Sequence, residues 1–312
     1  MKKIGLILLI LMLALGVVLA QRGFRGGFGG RFGSGDMIRT EGGVWVDQTR
    51  VRTAREIASH STGTPNWTNA PGFEKDVFTF VRIIRDRDPN GSPTSGSWIT
   101  DFPDSDLNFS FRLQQMTSLR VDPDGRTLRL TDPDLFNYPF IYMVEPGALL
   151  LRDEEVPILR KYLLNGGVLM ADDFWGEWQW EGFADQIKRV LPDGKWVELP
   201  MDHPIFHCVF DLNVPKNKLQ TPSIDIATPR HSTDFTWETY HLNRDRSPED
   251  CHEMHVRAIF DEKGRIMVIA THNCDNGDAW EREGEDDWFF HNFSEKRGYP
   301  LGINIIFYLM TH

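Results

Sequence analysis

Gly166-Gly167-Val168-Leu169-Met170-Ala171-Asp172-Asp173-Phe174-Trp175-Gly176 passes from a glycine pair through unbroken apolar residues into two carboxylates, two aromatic rings and a glycine. The apolar part has strand length and no polar alternation, the pattern of a strand buried on both faces of a parallel sheet. In open α/β sheets ligands gather at the carboxyl ends of the strands. Asp172 and Asp173 therefore stand where binding or chemistry is usually placed, with Trp175 beside them. Alternation along a strand sends neighbouring side chains to opposite faces, so both carboxylates reach one pocket only if the strand ends before Asp173. Two adjacent carboxylates would raise one another's pKa or share a divalent cation. The structural alternative is that one caps the next helix and the other is solvated.

Upstream of this strand, Asn165-Gly166 stops a helix that opens at Asp153-Glu154-Glu155, where negative charge suits the helix dipole, and buries Val156, Leu159 and Leu163. Before it, Tyr138-Pro139-Phe140-Ile141-Tyr142-Met143-Val144 reads as another strand buried on both faces, preceded by an Asp-Pro-Asp-Gly turn at 122–125. Phe109, Leu113 and Met116 share a helical face, and Asp104 or Ser105 would cap that helix. Val77–Ile84 is β-branched and aromatic at strand length, and an Asn90-Gly91 loop follows it. Strand, helix, strand, helix, strand over residues 77–171 predicts right-handed βαβ units and hence an α/β fold with a mostly parallel sheet. Downstream, the pattern predicts a helix near Phe183–Val190, an irregular stretch over 200–250, two strands flanking Glu262-Lys263-Gly264 and a last helix over Leu301–Met310.

Other polar clusters also follow predicted strands. Asp101 and Asp104 flank the turn before the first helix and join Asp172, Asp173 and Trp175 as candidates for one pocket. Asp202-His203-Pro204 would supply a histidine base with its orienting carboxylate, or merely an extended turn before proline. His272-Asn273-Cys274-Asp275-Asn276-Gly277-Asp278-Ala279-Trp280-Glu281 projects from the strand Ile266–Ala270, with Asp278 and Trp280 as site candidates. Its Asp-Asn-Gly-Asp core resembles part of an oxygen-rich calcium loop without the closing glutamate. Cys251-His252-Glu253-Met254-His255 places zinc-type ligands close together, but no second pair stands at finger spacing. No phosphate-cradling glycine loop precedes a helix, and no complete set of nucleophile, base and orienting group is present.

The chain has 312 residues, 40% hydrophobic, 12% aromatic and 25% charged, enough for one large or two modest cores. Its 34 Lys and Arg against 45 Asp and Glu leave a net charge of −11, which argues against a nucleic-acid partner bound to the main body through phosphate neutralisation. Lys2 and Lys3 precede an apolar run from Ile4 to Ala20, the pattern of a secretory signal, so the body is expected in the periplasm, cell envelope or medium. Membrane contact is expected only if residues 1–20 stay uncleaved. Residues 21–35 are a glycine, arginine and phenylalanine tether, residues 36–76 an extended lead-in that packs on the main domain, and residues 77–312 the α/β domain. Cys208, Cys251 and Cys274 permit at most one bridge, and the sequence does not say which.

Trp98-Ile99-Thr100-Asp101-Phe102-Pro103-Asp104, Gly166–Asp173, Asp202-His203-Pro204-Ile205-Phe206 and Leu301-Gly302-Ile303-Asn304-Ile305-Ile306 together resemble the bacterial family called domain of unknown function 4159, over residues 75–312. The resemblance implies a place among class I glutamine amidotransferase-like domains and a flavodoxin-like three-layer sandwich. It implies no activity. Amidotransferases need a cysteine on a tight turn after a central strand; here that place holds Asp172 and Asp173, so glutamine hydrolysis is not expected. The Asp202-His203-Pro204-Ile205 stretch resembles exported, sugar-associated relatives of the fold, which tilts the expected ligand toward carbohydrate. The expectation is thus an exported binding or scaffold domain with a carbohydrate or envelope-protein partner. The alternative is a carboxylate- or metal-dependent hydrolase of an envelope glycan.

Overall fold

The computed structural model describes residues 36–61, 63–72, 76–85, 97–229, 232–238 and 248–312. The segments read as a secretory signal and a glycine-rich tether, and the Asn90-Gly91 loop, lie outside the described residues. Met37–His312 form one unit.

A short antiparallel pair, β1 (Met37–Arg39) and β2 (Trp45–Asp47), opens the lead-in. Then come β3 (Val81–Ile83), α1 (Asp104–Met116), β4 (Arg126–Leu128), β5 (Phe140–Val144), α2 (Glu155–Leu164), β6 (Val168–Asp172) and α3 (Gly176–Val190). They are followed by β7 (Trp196–Glu198), β8 (His255–Phe260), β9 (Ile266–His272) and the short α4 (Asn276–Glu281) and α5 (Asp287–Phe289). A π-helical stretch over Phe290–Gly298 leads into α6 (Tyr299–Thr311). Among the described residues no helix is long and apolar enough to cross a membrane.

Seven strands form one sheet in the order β4-β3-β5-β6-β9-β8-β7. The first five are mutually parallel, while β8 runs antiparallel to both of its neighbours. Strand β5 shows why the sheet is buried on both sides. Phe140, Tyr142 and Val144 pack with Phe109, Leu113, Trp280, Ile303 and Ile306 on one face. Ile141 and Met143 pack with Leu159, Leu163, Phe183 and Ile187 on the other. Strand β6 alternates the same way, Val168 and Met170 against Leu169 and Ala171. Helices α1, α4 and α6 therefore cover one face and α2 and α3 the other, giving the three-layer α/β sandwich that the family resemblance implied around the parallel sheet that the unbroken apolar strands predicted.

Three details differ from expectation. The strand expected over Val77–Ile84 is regular only at Val81–Ile83, with a single bridge from Phe78 to Val121. Strands β4 and β7 were not anticipated, because three residues that include Arg126 or Glu198 carry almost no periodic signal. Pro103, not Asp104 or Ser105, occupies the N-cap position of α1 and makes no side-chain cap, and the buried Asp104 carboxylate is taken up by the lead-in.

The lead-in is part of the packed structure. Val46, Val51 and Ala54 form a third apolar cluster with Ile84, Trp98, Ile99, Phe102 and Leu107. Its backbone also lines the outer edge of β4: Thr127 N donates to Arg52 O at 2.8 Å, and Ala54 N donates to Asp124 O at 3.0 Å. At the far edge, β7 is three residues long, and its Glu198 pairs with Lys216, His255 and Arg257. Short, charged edges of this kind discourage pairing with other chains.

Candidate functional site

Three adjacent strands, β5, β6 and β9, each hand over to a non-glycine residue in the left-handed backbone region: Glu145 (φ 46°), Asp173 (φ 57°) and Asn273 (φ 58°). Asp101, in the turn before α1, is a fourth (φ 61°). Such conformations cost on the order of 1 kcal/mol each for residues with a Cβ and cluster at functional sites. Here they are over-determined by hydrogen bonds. Asp173 N donates to Cys274 O at 3.0 Å, and Asn273 N donates to Phe174 O at 2.9 Å, which ties the two strand ends together beyond the ladder. The Asn273 amide oxygen accepts from Gly176 N at 2.8 Å, and its nitrogen donates to Asp250 O and Glu253 O. The Glu145 carboxylate accepts from Ser97 N and the Thr100 hydroxyl, both at 2.6 Å.

These turns bring Asp101, Asp173 and Asp275 together over the rim, with one carboxylate oxygen of each within 4.8 Å of the others. They are 2%, 5% and 4% exposed. Trp175 Nε1 donates to Asp173 Oδ1 at 2.9 Å, and Asp275 Oδ1 accepts from Asp278 N at 2.7 Å as the cap of α4. Asp101 Oδ2 has no hydrogen-bond partner. Gly277 allows this approach, since a Cβ there would run into Asp101 Oδ2. All three carboxyls are pushed well above the ordinary range, first by burial and then by surrounding acids. For Asp101 those acids are Glu281, Asp278 and Glu41, with Arg82 opposing; for Asp173 they are Glu145 and Glu238 before Asp101 and Asp172.

A neighbouring acidic group shares Asp101 and adds Glu41 and Glu281, and these two have their own cations. Arg282 reaches Glu41 at 2.7 Å, Glu281 at 2.9 Å, Asp278 at 3.0 Å and Glu285 at 3.1 Å. His60 lies with Nδ1 2.8 Å from Asp104 and Nε2 2.9 Å from Glu281. Burial, then Glu41 and Asp278, still push the Glu281 carboxyl up to about 10. Asp278 rises to about 6 through burial, with Arg282 holding it down.

Of the carboxylate pair on β6, only Asp173 joins the rim. Asp172 continues the strand's alternation toward α4 and accepts from Asn276 N at 3.0 Å, Asn276 Nδ2 at 2.8 Å, Tyr142 Oη at 3.1 Å, Gly277 N at 3.2 Å and the Thr271 hydroxyl. Burial raises it to about 6, against the pull of those hydrogen bonds. Its oxygens are committed to holding the first turn of α4. Asp104 is likewise committed, to the Ser59 and Ser61 hydroxyls and His60 N. Trp175 contributes only its N–H to the rim, and Trp280 lies in the core with Nε1 on Gly298 O; both are buried.

Asp202 and His203 are not brought to this edge. The His203 ring packs on Phe260 and Tyr308, and Phe260, the last residue of β8, pairs with Ile266 at the start of β9, at the opposite edge of the sheet. His203 Nδ1 accepts from Ile205 N, so it serves as a local cap. The Cys251–His255 stretch splits up. Cys251 is buried, with its thiol pushed up to about 12 by burial and Asp250; His252 packs at a tilt against Trp237 and His255 pairs with Glu198. All three cysteines are free thiols.

A family model described as Domain of unknown function (DUF4159) matches residues 80–310, from the first strand of the sheet to the end of α6. The chain belongs to that family. No curated protein matches it. The DUF4159 span carries Asp101, Asp173 and Asp275, whereas Glu41 and His60 stand before it. Those two, with Glu145, Glu238 and Glu281, are participants that sequence reasoning missed. Glu281 closes a strand-end stretch that was singled out, but Glu41 and His60 sit in an aperiodic segment that offered no signal.

Proposed function

We propose that this chain is an exported, amidotransferase-like domain that performs no thiol chemistry and binds a ligand at its acidic carboxyl rim, in the cell envelope. The observation that carries the reading is the convergence of Asp101, Asp173 and Asp275 from three separate segments onto one nearly sealed spot, with a buried oxygen of Asp101 left unpartnered. Export is supported by Lys2, Lys3 and the apolar run to Ala20.

The amidotransferase-like placement is supported by the tight turn after β6, a strand with parallel neighbours on both sides. A nucleophilic cysteine would occupy such a turn. Asp173 occupies it here. Cys274, just beyond the adjacent strand, has a fully buried thiol held up by its surroundings, the reverse of an activated thiolate. His272 is held down to about 3 by burial and Arg257, so it offers that thiol no ready base. The stretch that favoured carbohydrate, Asp202–Ile205, stands at the other edge, so the rim itself favours a cationic ligand over a sugar.

The test uses the purified mature protein in thermal-shift titrations against divalent cations, polyamines, basic peptides and oligosaccharides, beside a glutamine hydrolysis assay. At least one ligand class should raise the melting temperature of the wild type but not of Asp173→Asn, and glutamine should remain intact. Glutamine turnover abolished by Cys274→Ala would overturn the reading. So would identical responses of wild type and Asp173→Asn to every class.

A further inference from the structure

We infer that Asp101, Asp173 and Asp275 hold one divalent cation of the hard, oxygen-seeking class, calcium or magnesium. This rests on the rim's being a ligand site and names the ligand's chemistry.

The charge arrangement is the first argument. Three carboxylates meet within 4.8 Å, and among the described residues none of them forms an ion pair with an arginine, lysine or histidine. The adjoining acids show the contrast, because Arg282 and His60 are supplied to Glu41 and Glu281. Asp101 Oδ2 is the independent sign of a missing partner, being unpaired in a residue only 2% exposed. Native structures rarely leave such an atom without a hydrogen bond, water or ion.

Donor identity selects the kind of ion. The group consists of carboxylate oxygens with no nitrogen or sulfur, which suits calcium and magnesium and disfavours zinc and copper. Access selects an ion over a larger ligand, since side chains 2–5% exposed leave no surface for a sugar or peptide to cover. The scaffold is also stiff. Arg82 Nη1 donates to Trp98 O at 3.0 Å and Thr100 O at 2.7 Å, fixing the turn that carries Asp101. Asp173 is held by Trp175 and Cys274, and Asp275 by its cap to α4 and by Asp275 N donating to Thr221 O at 2.8 Å. Such preorganisation is what a metal site needs.

Terbium, a luminescent surrogate for calcium, offers a direct readout, because the Trp175 indole bonded to Asp173 would sensitise it. The mature protein is stripped with EDTA, titrated with terbium, and back-titrated with calcium, magnesium, manganese or zinc, with melting curves recorded in parallel. The expected result is tryptophan-sensitised emission displaced by calcium or magnesium, and a melting temperature raised by about 5 °C at saturation. Asp101→Asn should abolish both responses. In EDTA it should melt no lower than the wild type, since the amide keeps the side chain's shape and supplies a donor to the neighbouring carboxyls. Asp275→Asn, which keeps a competent helix cap, is the second variant should the first fail to fold.

A wild type that melts alike in EDTA and in every cation, without emission, overturns the inference. So does a response confined to zinc, or one retained in both variants. If an organic ligand still separates wild type from Asp173→Asn in EDTA, the rim reading stands and only the cation falls.

Discussion

Arg82 sits on β3 with no exposure, gripping Asp106 through Nε at 3.0 Å and Nη2 at 2.6 Å, and lies over the rings of Tyr142 and Phe102. Removing one partner of a buried pair strands the other charge. Arg82→Met should therefore lower unfolding free energy by about 3–5 kcal/mol in urea titrations, and adding Asp106→Leu should recover part of it. His272 makes a second, pH-dependent case. Its ring is buried between Phe174, Trp180 and His255 and titrates only near 3, against about 6.5 for an unfolded histidine. Between those values the unfolded chain binds the extra proton, so stability falls as pH drops through the window, by at most roughly 1.4 kcal/mol per unit. Melting curves from pH 7 to 4 should show a steep loss for the wild type and a shallower one for His272→Phe. At this level the sequence was legible where a carboxylate ended an apolar strand. Nothing in it showed that Asp172 would be consumed by the amides of α4, because that depends on a helix arriving more than a hundred residues later.

Helix α4 is only six residues, yet it sets the rim's depth. Its first turn is held by Asp172, its cap is Asp275, and Gly277 lets Asp101 lie against it. Alanine at a helical glycine normally gains up to about 1 kcal/mol. Gly277→Ala should instead lose about 1–3 kcal/mol, because its Cβ collides with the Asp101 carboxylate. Guanidinium unfolding would read the sign, and a gain in stability would show that the two are not in contact. Elements of this kind divide by their source of order. Strands β5, β6 and β9 and helices α1, α2 and α6 were readable because their apolar periodicity is their reason for existing. The three-residue β4 and β7 exist through pairing with strands already in place, and no local pattern announces that.

The lead-in completes the molecule. The family match begins at residue 80, yet Val46, Val51 and Ala54 cover Trp98, Ile99 and Phe102, and Glu41 and His60 wall the acidic rim. A fragment comprising residues 77–312 should accordingly melt well below a chain that keeps the lead-in and elute from a sizing column as associated species. Equal melting temperatures would reduce the lead-in to a passenger. The fold class was legible from βαβ order, whereas the rim was legible only in outline. Five of its participants come from segments or positions without periodic character, and only the assembled sheet brings them within reach.

One more property follows from the backbone bonds that join Arg52 to Thr127 and Ala54 to Asp124. They act as a stopper on a row of amides and carbonyls that would otherwise face water along β4. A protease nicking the chain between the lead-in and β3 would pull that stopper. The damaged protein would then recruit neighbours strand to strand, so that ageing in a protease-rich milieu would register as thread-like deposits.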